Sequence, residues 1–337
     1  MYLRNHWYVV ARTEELGREL MQRYLLNEPY VMYRTEDGRP VALPDRCPHR
    51  RYALSAGSLI GDNVRCDYHG LAFDPDGVCV DIPGQEKIPA QMCAKPVPLV
   101  EKHNMVWGWM GEPEKADPAR IPDFHWMDKP GWTCSDDSRG FDCHYQLVVD
   151  NLLDLTHETY VHTKTIGQAE LVEAPIEARR ENGAVLVDRI VRDCAAPPLF
   201  SKVVDFGGNI DRYQFVRFEP PCYIWIDARA VPTGTNDFDK GLQWVVMNAL
   251  TPETDDTMHY FWGLSRHFAQ DDEDMTRDIH EALIRTFEED SGVLKIQHEL
   301  IQSDAPGAMG NNINADRGIT LAHHLVDELM AVEQAGA

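Results

Sequence analysis

The sequence predicts an α+β protein of two units: an N-terminal all-β unit, then a larger unit with an antiparallel sheet and long helices. Three observations carry this. Residues 7–109 fall into short β-rich runs divided by Gly- and Pro-containing turns. A second series of such runs occupies residues 184–262. Two stretches, Asp274–Gln302 and Ile319–Glu333, keep apolar residues at helical spacing with no internal proline. At 337 residues the chain is long enough for two domains of ordinary size. The boundary is expected within 111–132, where Pro113, Pro118, Pro122 and Pro130 exclude a long helix and suit a crossing segment. This gives units 1–115 and 116–337.

Composition narrows the function classes. Lys plus Arg number 32 and Asp plus Glu 55, a net charge of −23 that repels nucleic acid and anionic membrane over most of the surface. The eight cysteines, at 47, 66, 79, 93, 134, 143, 194 and 222, are scattered rather than packed as a disulfide framework. Arg4, His6, Arg12, Glu14 and Glu15 interrupt the N-terminus, so it has no signal-peptide core. No run reaches the roughly eighteen apolar residues of a membrane span. The expectation is a soluble cytoplasmic protein with reduced thiols.

In chain order, Trp7–Val10, Tyr30–Tyr33 and Pro40–Leu43 read as strands, with a turn at Glu36-Asp37-Gly38. Leu71–Phe73 and Val78–Val80 read as a hairpin around Asp74-Pro75-Asp76-Gly77. Met105–Trp109 closes a small antiparallel barrel or sandwich. Between the strands lie two ligand pairs, Cys47-Pro48-His49 and Cys66-Asp67-Tyr68-His69, expected on loops at one end. Two thiolates and two imidazoles suit zinc or a mixed-ligand iron-sulfur cluster. Each loop carries one residue of each kind. That suits a 2Fe-2S centre with two Cys on one iron and two His on the other, whereas zinc modules more often pair like with like.

The second unit opens with Val148–His162, read as one helix with apolar residues at 148, 149, 152, 153 and 155. Asp154 and His157, three apart, share a face, so the Asp154 carboxylate can hold His157 or pass charge to it. His157 and His162 are five apart, about 140° round an ideal helix. For both to bind one metal the helix must end or distort between them. A carboxylate would complete the 2-His-1-carboxylate triad that leaves ferrous iron open to dioxygen. Asp290, in Phe287-Glu288-Glu289-Asp290, is the candidate, and spacing alone does not separate it from Glu288 or Glu289. The plainer alternatives are surface histidines and a solvated acidic face.

Cys47-Pro48-His49-Arg50, Cys66-Asp67-Tyr68-His69-Gly70 and the run Asp150–His162 together resemble the Rieske non-heme iron oxygenases. Within that family the resemblance is to the oxygenase components of the vanillate O-demethylase and dicamba monooxygenase group. It implies an N-terminal Rieske domain followed by a helix-grip catalytic domain. It also implies that Cys47, His49, Cys66 and His69 hold the 2Fe-2S cluster, and that His157, His162 and Asp290 hold one Fe(II). Asp154 is then the acid between the two metal centres, and Asn151 a polar residue beside the iron. A homotrimer is implied, in which the cluster of one subunit serves the iron of the next. So is a flavin and iron-sulfur reductase drawing on NADH.

The implied reaction is O-demethylation of a small methoxylated aromatic acid, using O2, to a phenol and formaldehyde. Hydroxylation of a methyl or ring position in a toluenesulfonate- or benzoate-type substrate is the alternative. A bare electron carrier would need only the first unit, and a ligand-binding module would lack the second iron. Arg51 departs from the Gly that many ring-hydroxylating relatives carry there, which limits backbone freedom and adds a charge. A substrate carboxylate would need a donor or cation inside an apolar pocket. Arg212, Arg217, Arg229, Arg266 and His267 are available, though each reads more readily as an ordinary surface or strand charge.

Overall fold

The computed structural model describes residues 1–235, 238, 241–305 and 310–336. The chain divides into two compact units, Met1–Asp123 with Thr251–Asp255, and Phe124–Leu250 with Asp256–Ala337.

The first unit is all β apart from short helical turns. Its strands are β1 (Trp7–Arg12), β2 (Met21–Leu25), β3 (Glu28–Arg34), β4 (Pro40–Pro44), β5 (Ser58–Ile60), β6 (Asn63–Arg65), β7 (Ala72–Phe73), β8 (Cys79–Asp81), β9 (Leu99–Lys102) and β10 (Met105–Trp109). Three small sheets result, in the orders β1-β10-β9, β2-β3-β4 and β5-β6-β7-β8. The expected hairpin is β7-β8, and its turn ends at Gly77 with φ +75°. Cys47 and Cys66 lie in one apolar core with Val31, Leu43, Val64 and Phe73, so the ligand loops are anchored by the same burial that holds the sheets.

The second unit is built on one antiparallel sheet of seven strands among the described residues. These are β11 (Thr133–Phe141), β12 (Ile176–Glu181), β13 (Ala184–Cys194), β14 (Ile210–Glu219), β15 (Tyr223–Pro232), β16 (Leu242–Pro252) and β17 (Met258–Arg266), in the order β11-β17-β16-β15-β14-β13-β12. The sequence reading found the central strands and missed β11 and β12. Their runs, Thr-Cys-Ser-Asp-Asp-Ser-Arg-Gly-Phe and Ile-Glu-Ala-Arg-Arg-Glu, are polar edge strands with little apolar signal. The helices are α1 (Tyr145–Leu153), α2 (Glu158–Val161), α3 (Pro198–Val203), α4 (Glu273–Ser303) and α5 (Arg317–Ala335).

Helix α4 starts at an Asp272 cap, whose side chain accepts from the Met275 N–H at 2.8 Å, and runs unbroken through Gly292. Its buried face comprises Ile279, Ala282, Leu283, Thr286, Phe287, Asp290, Leu294 and His298. Val293 is exposed, and Leu294 takes the buried position beside it. On α5, Gly318, Ala322 and Leu325 are buried while Val332 is 69% exposed. A Cβ at Gly318 would meet the Val187 side chain at 2.5 Å, so the absence of a side chain lets the helix approach β13.

Gly77 offers a local test of the β7-β8 turn. A Cβ there would fall 1.8 Å from the Ala94 carbonyl oxygen, besides the cost of φ +75°. At Gly38, φ is +89° but no atom lies within 4 Å of the added carbon. Gly38→Ala should therefore cost about 1 kcal/mol, the left-handed penalty alone. Gly77→Ala should cost about 2–3 kcal/mol or more because backbone must move as well. Urea denaturation of the two variants checks the difference.

Candidate functional site

The two ligand loops of the first unit repeat one backbone design. The Cys47 N–H donates to the Tyr52 carbonyl and the Arg51 N–H to the Cys47 carbonyl, each at 2.8 Å. The Cys66 N–H donates to the Leu71 carbonyl and the Gly70 N–H to the Cys66 carbonyl, again at 2.8 Å. The fifth residue of each loop is left-handed, Arg51 at φ +62° and Gly70 at φ +78°. Arg51 thus adopts the conformation that glycine favours, and the loop closes despite the side chain.

Cys47 and Cys66 are buried, and the His49 and His69 rings stand 4.5 Å apart between centroids. Burial pushes the Cys47 thiol up to about 11. The backbone N–H groups of His49 and Arg50 act against that rise, and the neighbouring Cys66 adds to it. His49 Nδ1 is buried with no hydrogen-bond partner. Paired buried sulfurs, donors aimed at one of them and an orphaned imidazole nitrogen suit a metal-sulfur cluster better than an apolar core. His69, by contrast, is exposed.

In the second unit the single helix expected over 148–162 is broken. Asp154 leaves helical geometry at φ −93°, ψ 94°. Its carboxylate Oδ1 takes the Thr156 N–H at 2.8 Å and the Thr156 hydroxyl at 2.5 Å. The cause is local, because a short acidic side chain competes for backbone donors and ends the helix. His157 and His162 then flank the one-turn helix α2 rather than sharing a long one, and their rings meet. The expected grip of the Asp154 carboxylate on His157 is also corrected. His157 Nδ1 bonds the Asp154 backbone carbonyl, and the second carboxylate oxygen has no hydrogen-bond partner among the described residues.

His162 Nδ1 bonds Glu289 Oε2 at 2.9 Å, which also accepts from the Thr165 hydroxyl at 3.1 Å. Both Nε2 atoms consequently face inward, 3.1 Å from each other. Asp290 Oδ1 lies 3.2 Å from His162 Nε2 and 3.6 Å from His157 Nε2. A metal with bonds of ~2.1 Å at right angles places adjacent donor atoms ~3.0 Å apart, so the three atoms fit one face of an octahedron. Burial alone would depress the His162 imidazole, but the Asp290 and Glu289 carboxylates raise it above its ordinary value.

Of the three acids, only Asp290 is turned to the two imidazole Nε2 atoms. Glu289 orients His162 from behind, and Glu288 lies 3.8 Å from Arg139. Asn151 Nδ2 reaches Asp290 Oδ1 at 3.3 Å.

These residues stand in the wall of a cavity of about 100 Å³, lined largely by apolar groups including Leu155, Ile226, Val246, Leu264, Leu283 and Phe287. Beside His157 lies a buried polar cluster absent from the sequence reading. Glu158 Oε2 is shared by Arg189 Nη2 at 2.9 Å and Arg212 Nη2 at 3.0 Å, and its Oε1 accepts from Gln214 Nε2 at 2.7 Å. Arg189 Nε and Nη2 donate to Gln214 Oε1, and Nη1 to the Leu155 carbonyl at 2.6 Å. Burial works to raise the Glu158 carboxyl, but Arg189 and Arg212 overcome it and hold the group below its ordinary value. Among the five cations considered from sequence, Arg212 alone lines the cavity. Arg217 pairs with Glu219 and Arg229 with Asp227, Arg266 donates to the carbonyls of Ala269 and Asp272, and the His267 ring meets Trp132.

Comparison with known proteins follows the same division. The model of the Rieske [2Fe-2S] domain matches residues 6–95, and that of the vanillate O-demethylase oxygenase C-terminal domain matches residues 141–331. The chain is 39% identical to the iron-sulfur subunit of a toluene-4-sulfonate monooxygenase system of Comamonas testosteroni, over all of this chain and 99% of that one. It is 33% identical to a vanillate O-demethylase oxygenase subunit of a Pseudomonas species, over all of this chain and 97% of that one. The crystal structure of dicamba monooxygenase bound to dicamba superposes with a TM-score of 0.92 at 30% identity, covering 99% of both chains.

Two outcomes test this geometry. Arg51→Gly should stabilise the protein by about 0.5–1 kcal/mol, the left-handed penalty relieved less the added freedom of the unfolded chain; a lower denaturation midpoint would contradict it. Glu158→Gln should cost about 3–5 kcal/mol, since two guanidinium groups lose their shared counter-charge. The depressed carboxyl stabilises fully above its unfolded value, near ~4.3, and the contribution disappears as pH falls through the lower folded value. The variant's acid-unfolding curve, followed by tryptophan fluorescence, should be flatter than the parent's in that window.

Proposed function

The chain belongs to the Rieske non-heme iron oxygenases, with the catalytic domain of the vanillate O-demethylase group, and on that premise we propose that it oxidises the methyl group of a single-ring aromatic acid. The favoured reaction is O-demethylation of a methoxylated aromatic acid to a phenol and formaldehyde, with O2 and with NADH electrons delivered by a flavin and iron-sulfur reductase. One observation carries it: two imidazole nitrogens and a carboxylate oxygen converge within 4.8 Å of one another in the wall of an apolar cavity.

In this reading Cys47, His49, Cys66 and His69 hold the 2Fe-2S cluster, and His157, His162 and Asp290 hold Fe(II). The bound metals supply electron storage and dioxygen activation. The chain's own groups do the rest. The Asp154 carbonyl and the Glu289 carboxylate fix the imidazoles so that Nε2 faces inward. Asn151 restrains the Asp290 carboxylate. The apolar walls exclude water and hold the methyl carbon close. A cavity of about 150 Å³ accepts benzene, so one of about 100 Å³ is on the scale of a single small ring.

A second reaction, hydroxylation of a carbon-bound methyl group, is favoured by the 39% identity to the toluene-4-sulfonate monooxygenase subunit. The reading extends to a homotrimer in which Asp154 of one subunit meets His69 of the next. The exposed His69 and the unshared Asp154 oxygen support that junction. Eight unbridged cysteines support work in the cytoplasm, and no described helix is long and apolar enough to cross a membrane.

Supplied with reductase, NADH and a panel of methoxybenzoates, methylbenzoates and methylbenzenesulfonates, the protein should release formaldehyde from an aryl ether. Hydroxymethyl products without formaldehyde would select the second reaction. His157→Ala and Asp290→Ala should each remove the mononuclear iron while the cluster's visible absorption stays. Asp154→Asn should keep all three irons per chain and lower turnover at least 100-fold. Loss of the mononuclear iron in that variant would make Asp154 a structural residue instead.

A further inference from the structure

We propose that Arg212 is the specificity-determining residue for the anionic group of the substrate, a carboxylate or sulfonate carried on the ring. The inference rests on the proposed oxidation of an aromatic acid and names the group that recognises the acid. Strand β14 sends Ile210, Arg212, Gln214, Val216 and Phe218 to one face, all buried, and Arg212 and Gln214 stand in the cavity wall with the metal ligands. Arg212 is only 2% exposed.

Its partners are few for a buried cation with five N–H donors. Nη1 donates to the Ile166 carbonyl and to Gln168 Oε1, each at 3.0 Å, and Nη2 donates to Glu158 Oε2. Nε is buried with no partner. Gln214, beside it, has both its oxygen and its amide nitrogen bonded within the cluster. Asn248, elsewhere in the wall, is spent in the same way on the Ile224 carbonyl and the Tyr260 hydroxyl. Arg212 Nε is thus an unspent donor in this polar wall.

Charge points the same way. Among the described residues Glu158 is the sole carboxylate within ion-pair distance of Arg189 or Arg212, so two buried guanidinium groups share one counter-charge. Two buried guanidinium groups sharing one counter-charge, with one N–H unbonded, favour an anion over its neutral isostere, because burying a cation without a full partner is costly. The Phe200 ring, 5.3 Å from the Arg212 guanidinium carbon, lies edge-on to Trp244, and both line the cavity. These rings provide the apolar surroundings that a substrate ring next to the anion requires. An arene anchored here by its anion would share one cavity with His157 and Asp290.

The test is equilibrium binding by anaerobic calorimetry to the metal-loaded enzyme, without turnover. The probes are 4-methoxybenzoate against 4-methoxybenzamide, and 4-methylbenzenesulfonate against its sulfonamide. The parent should prefer at least one anion over its neutral partner by about 10–100-fold, the scale of a charge-assisted hydrogen bond in a dry site. Which anion wins separates carboxylate from sulfonate recognition. Arg212→Lys keeps the charge beside Glu158 but lacks Nε, and should lose at least fivefold of the preference; Arg212→Gln should abolish it.

Equal affinity of the parent for anion and neutral isostere overturns the proposal without any variant. So does a preference that survives both substitutions. Should the anions bind selectively yet yield no oxidised product when reductase is added, the substrate reading fails while the anion site stands. Oxidation of the neutral isosteres as readily as the acids would have the reverse meaning.

Discussion

The second unit depends on one buried carboxylate. Glu158 follows a metal-ligand candidate in sequence and is held by two guanidinium groups and an amide, all out of water. Arg189, one of those partners, also ties down the Leu155 carbonyl in the segment where the chain leaves α1. The break at Asp154, the one-turn helix α2 and the flanking histidines are therefore braced from the sheet rather than by their own helical propensity. A four-residue helix has too little cooperativity to persist alone. Fixing its first residue to β13 and β14 supplies the order that its length cannot.

The same brace links stability to selectivity. A buried ion pair contributes little net stability compared with a well-packed apolar replacement, so a cluster of this kind gains its value from position. Here it sets one polar patch into a largely apolar wall, beside the candidate metal ligands. Helix α4 supplies Asp290 from a buried stripe that includes Leu283, Phe287 and Leu294. The cavity is lined from both the sheet and helix α4.

Much of this was legible in the sequence. Cys47, His49, Cys66 and His69 stand out as ligand candidates because two close-spaced Cys/His pairs have few other uses, and the strand runs around them carry strong apolar signals. The turn of Asp290 rather than its neighbours toward the histidines is legible in the helical periodicity. Position 290 is three beyond Phe287 and four before Leu294, on the buried stripe, while 288 and 289 fall off it. The buried arginines carried a similar signal. Val185, Val187, Arg189 and Val191 alternate, as do Ile210, Arg212, Gln214 and Val216, so charges sit where apolar residues are due. What was not legible was the break at Asp154. The apolar spacing of 148–155 is compatible with one long helix, and the side-chain bonds that end it involve only Thr156 and Asp154 itself.

The placement of Asp290 has a mechanical consequence. Helix α4 is 31 residues long, ~46 Å at 1.5 Å per residue, and Asp290 is its eighteenth residue, within ~3 Å of the midpoint. If the helix rocks about its centre by ~5°, its ends swing by ~2 Å, whereas the residue near the fulcrum moves by only ~0.3 Å. Such a lever tolerates motion at both tips while the carboxylate keeps its station.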